Sequence, residues 1–127
     1  MAREVIGDPI VVGGRTIPLS PAIRANGFVY ASGQLGLDAN SRLVGDDIES
    51  QTRAALDNLA AVLEAGGATL ADIVKATAFI TDASLAPGFN AAYAEYFPDA
   101  PPARSTVVCG LLIPGALVEI EAIAALS

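Results

Sequence analysis

The sequence predicts an α/β (α+β) domain in which two helices pack on one face of a β-sheet. Three observations predict it: an Asn-Gly pair between two β-prone runs, two stretches with apolar residues every three or four positions, and a strand-like run after each of those stretches. The 127 residues suit a single domain over 1–127, with too little chain for a second core.

The elements follow in order. Arg3 to Ile6 can add an edge strand, whereas the segment with Gly13-Gly14, Pro18 and Pro21 shows no regular pattern. Asn26-Gly27 separates Ala22 to Ala25 from Phe28 to Ser32, and both residues of such a pair tolerate the positive φ that a tight hairpin needs. From Asp47 to Ala65 the residues Ile48, Ala55, Leu56, Leu59, Val62 and Leu63 share a helical face. Asp46 or Asp47 can cap this helix, and Gly66-Gly67 ends it.

Val74 to Thr81 alternates, which predicts a strand with Val74, Ala76, Ala78 and Ile80 on one face and Lys75, Thr77 and Phe79 on the other. Leu85, Phe89, Tyr93 and Tyr96 or Phe97 form a second helical face, expected to end near Phe97 before Pro98, Pro101 and Pro102. Arg104 to Leu112 is β-prone, Pro114-Gly115 turns the chain, and Leu117 to Ala125 makes the last strand. Two helices cover only one face of such a sheet, so the other stays partly apolar. A closed cyclic oligomer would bury it.

Composition narrows the function. Hydrophobic residues make up 53% and charged residues 17%, again favouring self-association. The net charge is −7 and the seven basic residues are scattered, a poor match to a nucleic acid, whose counterions are displaced by clustered Lys and Arg. There is no histidine and one cysteine, Cys109, so the usual zinc spacings, an intrachain disulfide and His-assisted nucleophiles are all excluded. No metal is expected. The glycines do not form a phosphate cradle. Val107 to Val118, the most apolar run, is too short and broken for a membrane helix, and the start of the chain lacks the pattern of a secretory signal. A cytoplasmic protein without a membrane partner is the expectation.

A few polar residues stand out. Arg104 follows Pro101-Pro102-Ala103 at the mouth of an apolar strand, where its guanidinium can grip a carboxylate in bidentate fashion or make a structural ion pair. Glu119 and Glu121 share one face of the last strand. Partial burial and mutual repulsion would raise a carboxyl pKa there, as proton transfer requires; the alternative is a polar outer face. Ser32, with Gly33-Gln34 after it, can present a hydroxyl and a backbone N–H to a ligand or serve turn geometry alone. Asn90 lies on the second helix, where a surface role is the plainer reading, and Cys109 reads as a small apolar residue.

Together these stretches resemble the RidA (YjgF) family. The resemblance is carried by Tyr30-Ala31-Ser32-Gly33-Gln34, Gln51 to Leu59, Asp72 to Thr77, Phe89-Asn90-Ala91-Ala92-Tyr93, Pro102-Ala103-Arg104-Ser105-Thr106-Val107 and Val118 to Ala124. It covers roughly Pro18 to Leu126, and Pro-Ala-Arg-Ser followed by Glu-Ile-Glu-Ala is its most specific part.

The resemblance implies a chorismate-mutase-like mixed sheet with both helices on one face, assembled as a homotrimer. It implies hydrolysis of reactive enamines and imines, such as 2-aminoacrylate and 2-iminobutanoate, to 2-keto acids and ammonia, without cofactor. By the same resemblance Arg104 binds the substrate carboxylate, Glu119 positions and activates water, and Ser32, Gly33, Asn90 and Thr106 contact substrate. Two positions depart from the family pattern: Leu19 stands where the family has an active-site tyrosine, and Thr106 where many members have cysteine. A non-catalytic small-molecule binding or regulatory protein is the alternative on this fold, and ribonuclease activity, assigned to some relatives, fits the acidic composition poorly.

Strand arithmetic adds an expectation about assembly. A strand from Arg104 to Leu112 spans about 25 Å at ~3.3 Å per residue, and Glu119 lies two residues into the strand returning beside it. The two side chains are then about 20 Å apart along the sheet of one chain, which predicts sites shared between subunits. With the strand order that the family resemblance implies, Ser32, Gly33 and Glu119 of one subunit would face Asn90, Arg104 and Thr106 of its neighbour.

Overall fold

The turn at Asn26-Gly27 forms as expected, with φ of 52° and 83° at its two residues. In the computed structural model, which describes residues 2–127, this turn joins β4 (Ala22–Ala25) to β5 (Phe28–Leu35). The edge strand is β1 (Glu4–Ile6), paired antiparallel with β4. Between them the segment without sequence pattern folds into a two-stranded ribbon, β2 (Val11–Val12) and β3 (Arg15–Thr16). Gly13 and Gly14 make its turn at φ of 59° and 76°, the same positive-φ solution reached with a second residue pair.

Helix α1 (Ile48–Ala65) begins and ends where its signals lie. The Asp47 carboxylate accepts from the Ser50 N–H at the N-terminus, and Gly66 caps the C-terminus. Its Ala55, Leu56, Leu59 and Leu63 are fully buried, each leucine worth ~1.5–3 kcal/mol by removal from water. Helix α2 (Ala86–Ala94) is shorter than predicted. After Ala94 the N–H groups of Tyr96 and Phe97 bond three residues back, to Tyr93 and Ala94, so the last turn tightens. Pro98 has no N–H to extend the ladder and disfavours helical backbone at Phe97.

The remaining strands are β6 (Ile73–Ile80), β7 (Ala103–Val108) and β8 (Val118–Ala125). Three expectations are corrected here. Val74 does not join the buried set: a bulge between Ile73 and Lys75 turns it outward, and Ile73 takes its place in the core. The strand beginning at Arg104 stops at Val108, since Gly110 follows and Leu112 is 99% exposed. Nor are β7 and β8 neighbours, because β6 lies between them in a sheet ordered β1-β4-β5-β8-β6-β7. The β6–β7 pair is parallel and the other pairs of that sheet are antiparallel.

Register sorts the side chains onto two faces. One row across the sheet reads Ile6, Ala22, Ala31, Ala122, Ala76 and ends on Arg104. The members before Arg104 are buried, and the small alanines let the helices approach closely. On the opposite face the row Val5, Ile23, Tyr30, Ile123, Lys75 is only partly covered, with Val5 and Tyr30 exposed. The predicted imbalance between a covered and an open face is therefore present in the chain.

Candidate active site

Two groups of polar residues lie on these two faces. On the helix face, Arg104, the second residue of β7, meets α2: its Nη2 donates to Asn90 Oδ1 at 2.8 Å. Its guanidinium carbon lies 4.7 Å from the ring centre of Tyr93 and 5.1 Å from that of Phe89. No carboxylate pairs with it among the described residues, where the ion pairs are Arg24–Glu4 and Arg53–Glu95. The structural ion pair considered from sequence is thus not what holds Arg104. A cavity beside it is bounded by Asn90, Tyr93, Phe97, Pro101 and Pro102. Thr106, two residues further along β7, shares its face and is exposed.

On the open face, Glu119 lies in register between Leu35 of β5 and Phe79 of β6. Burial there, and then the charge of Glu121 on the same face, pushes its carboxyl above its ordinary value. Gly33 makes room for it. A Cβ on Gly33 would overlap the Glu119 carboxylate and lie 2.9 Å from its Cδ, so this position admits no side chain while Glu119 keeps its place. The register shift between Ala31 and Gln34 brings Gly33 to that point.

Ser32 and Leu19 line an adjoining groove of about 580 Å³, with Ile17, Ile23 and Tyr30 among its walls. The Ser32 hydroxyl donates to the Ser20 carbonyl at 2.6 Å, which fixes its rotamer and leaves its oxygen lone pairs for a donor. Cys109 lies half-buried just past β7 and its N–H bonds to Ile80, in keeping with a packing role.

The sequence-predicted residues thus fall into two clusters. Arg104, Asn90 and Thr106 share one face of a chain, while Glu119, Gly33, Ser32 and Leu19 gather on the other. The reason given from strand arithmetic needs revision. Through β6, Arg104 is level with Ala76 and Glu119 with Phe79, an offset of three residues, or about 10 Å along the strands. Opposite facing, more than distance along the sheet, keeps the two apart. Sequence reasoning missed the partnership of Phe89 and Tyr93 with Arg104, for which the one available signal is their spacing around Asn90 on α2. It also missed Gln51, a buried polar residue within an apolar stripe.

A family model described as Endoribonuclease L-PSP matches residues 15–126. The chain belongs to the YjgF/YER057c/UK114 (RidA, L-PSP) family. Among solved structures, it is similar to a Rid-family protein of unknown function from Yersinia pestis at 45% identity, covering 98% of this chain and 100% of that one with a TM-score of 0.87. An endoribonuclease L-PSP homologue from Entamoeba histolytica matches at 39% identity over 98% and 100% of the two chains, with a TM-score of 0.87. RidA from an Antarctic Psychrobacter matches at 31% identity over 97% and 99%, with a TM-score of 0.85. The α+β fold of RidA-family structures, a mixed six-stranded sheet with two helices, is the fold of this chain. Among its described residues no helix is long and apolar enough to cross a membrane.

Proposed function

We propose that this RidA-family chain hydrolyses 2-imino acids, and the 2-enamine acids that tautomerise to them, to 2-keto acids and ammonia. The observation that carries the reading is the pairing of unlike tools: a guanidinium that meets no carboxylate among the described residues, fixed by Asn90 and two rings, and a half-buried carboxyl of raised proton affinity. The first suits the anionic end of an imino acid and the second suits a water and its proton.

The chemistry asks little of the protein. An imine carbon is already electrophilic, so attack by water needs positioning and one base. Starting from the imine protonated on nitrogen, Glu119 takes a proton as the water oxygen bonds to carbon, giving a neutral carbinolamine, and returns it to that nitrogen. The C–N bond then breaks as the hydroxyl proton passes to Glu119, forming the C=O of the keto acid; the ammonia released takes up that proton, leaving Glu119 ionised again. Arg104 holds the carboxylate throughout by its planar fork, Asn90 fixes that fork, and Ser32, Gly33, Leu19 and Thr106 border the substrate.

Because the two tools face opposite ways in one chain, a complete site requires a neighbour. A homotrimer in which the β7 edge of one subunit lies against the open face of the next would bring Arg104 of the first to Glu119 of the second, and would bury Val5, Tyr30 and Ile123. Cytoplasmic action on metabolites made in the same compartment accords with this reading.

Ammonia release from 2-aminoacrylate and 2-iminobutanoate by wild type, Arg104→Lys and Glu119→Gln tests it. Wild type should turn over both, and Arg104→Lys should lose most activity because an ammonium cannot reproduce the fork. Wild-type binding of 2-oxobutanoate without turnover would favour a non-catalytic binding protein. RNA cleavage in place of ammonia release would sink the deaminase reading.

A further inference from the structure

We infer that the adjacent rings of Phe89 and Tyr93 are a positioning device that sets the plane of the Arg104 guanidinium, and that Tyr93 acts through its π face, not its hydroxyl. The inference rests on the reading that Arg104 grips a substrate carboxylate, and it concerns what makes that grip specific.

Arg104 springs from the outermost strand of the sheet, on a long side chain with several free torsions. Asn90 fixes one of its N–H groups and leaves the plane of the head free to swivel about that contact. The rings remove that freedom. Both ring centres lie within the ~6 Å at which a cation is attracted to an aromatic face. The rings are themselves packed in: Phe89 is fully buried, Tyr93 is 5% exposed, and tilted ring contacts run from Phe89 to Tyr93 at 5.4 Å and from Tyr93 to Phe97 at 4.6 Å. With one side of the guanidinium against the rings and one edge on Asn90, the remaining donors point in a fixed fan.

The Tyr93 hydroxyl lies near the Arg104 guanidinium, but its oxygen is inaccessible and makes no well-formed hydrogen bond among the described residues, so it is the ring face that bears on Arg104. Burial raises the phenol's pKa against the opposing charge and hydrogen-bonding pull of Arg104, and the ring therefore presents an ordinary neutral π face.

The experiment measures 2-oxobutanoate binding by titration calorimetry, with KM and kcat on 2-iminobutanoate, in wild type, Tyr93→Phe, Tyr93→Leu, Arg104→Ala and a protein carrying 3,4,5-trifluorophenylalanine at position 93. Fluorination keeps the ring shape while draining its π charge, which a merely structural ring would not notice. Leu should raise Kd and KM by about tenfold, Phe should rescue both, and the fluorinated ring should resemble Leu, the change lying in KM more than in kcat. If Leu fails to fold, the comparison of Phe with its fluorinated form still decides. Loss of binding in Arg104→Ala combined with equal Kd for the plain and fluorinated rings would overturn the platform alone. A tenfold loss in Tyr93→Phe would overturn the silent hydroxyl, and undiminished binding by Arg104→Ala would overturn the carboxylate grip and the platform with it.

Discussion

Arg104 and Glu119 project from opposite faces of one sheet. Arg104 is in register with the buried Ala76 and reaches α2, while Glu119 is in register with Phe79 and lies over Gly33. Side chains in a strand alternate strictly, so no rotamer of either residue brings the two together within one chain. Each cluster is locally complete: Arg104 has its fixing partner, and Glu119 has its apolar neighbours and a space shaped to it.

That space yields the first prediction. In Gly33→Ala the new methyl meets the far end of the Glu119 side chain, with Cδ at 2.9 Å and Cγ at 3.0 Å, and no backbone atom is among its three nearest neighbours. A flexible side chain can swing away at small cost, so the fold should survive with a melting temperature within a few degrees of wild type. The carboxylate must move by about an ångström, which costs up to about 100-fold in a positioned reaction. Ammonia release measured beside a thermal melt checks the split; wild-type turnover would refute the positioning.

The second prediction concerns pH. If Glu119 is the base it acts only when ionised, so kcat/KM should rise with pH through a pKa above its ordinary 4.5. Burial is the larger cause and Glu121 the second, so Glu121→Gln should move this acid limb to lower pH without removing it. Stability should run the other way. A carboxyl whose folded pKa is raised binds its proton more tightly in the native state. Its contribution is full below the unfolded pKa and is lost as pH rises through the folded one. Glu119→Gln should flatten that fall in denaturant titrations across the same window.

The third prediction concerns the support beneath the site. Gln51 is fully buried, donates to the carbonyls of Gly45 and Gly115 at 2.8 and 3.0 Å, and accepts from the Leu117 N–H at 2.8 Å. One side chain thus secures the turn that leads into β8 two residues before Glu119. Gln51→Leu keeps the volume but strands three backbone groups, each costing ~1–3 kcal/mol if no water replaces the bond. We expect a net loss of about 2–4 kcal/mol in urea unfolding. A loss below about 0.5 kcal/mol would show that the turn stands without it.

Gln51 also shows where sequence reading stops. The stripe Ile48, Ala55, Leu56, Leu59 declares a buried helix face by periodicity, and Asn26-Gly27 declares a turn by the φ values it tolerates. Both signals are local in the chain. Gln51 bonds to residues up to 66 positions away, and a lone glutamine in an apolar stripe reads as a blemish until its partners are seen. The order of β7, β6 and β8 was illegible for a related reason. Adjacent segments joined by a turn usually pair, and nothing in Pro114-Gly115 tells that the chain crosses over β6 before returning. Arg104 and Glu119 are legible as residue types in unusual company, together with the family resemblance, but Phe89 and Tyr93 look like core in the sequence because an aromatic platform and a core stripe share one helical spacing.

The last prediction follows from the two faces. If the catalytic unit joins Arg104 of one chain to Glu119 of its neighbour, then Arg104→Ala and Glu119→Ala chains are each inactive for want of a different half. Denatured together in equal amounts and reassembled, they should form mixed trimers. A site is whole only where the chain giving Arg104 carries the Glu119→Ala change and the chain giving Glu119 carries the Arg104→Ala change. Random assembly makes about a quarter of the sites whole, each with one intact member from either chain. Ammonia release should then recover to about that fraction of wild type, while each variant refolded alone stays at background. Native mass spectrometry reads the mixed assemblies directly, using a small tag on one chain. Recovery must track the fraction of mixed species as the input ratio is varied, with its maximum at equal input. Confirmed mixed trimers at background activity would place both groups in a site within one chain, which the opposite facing of Arg104 and Glu119 could satisfy only by a large rearrangement of β7.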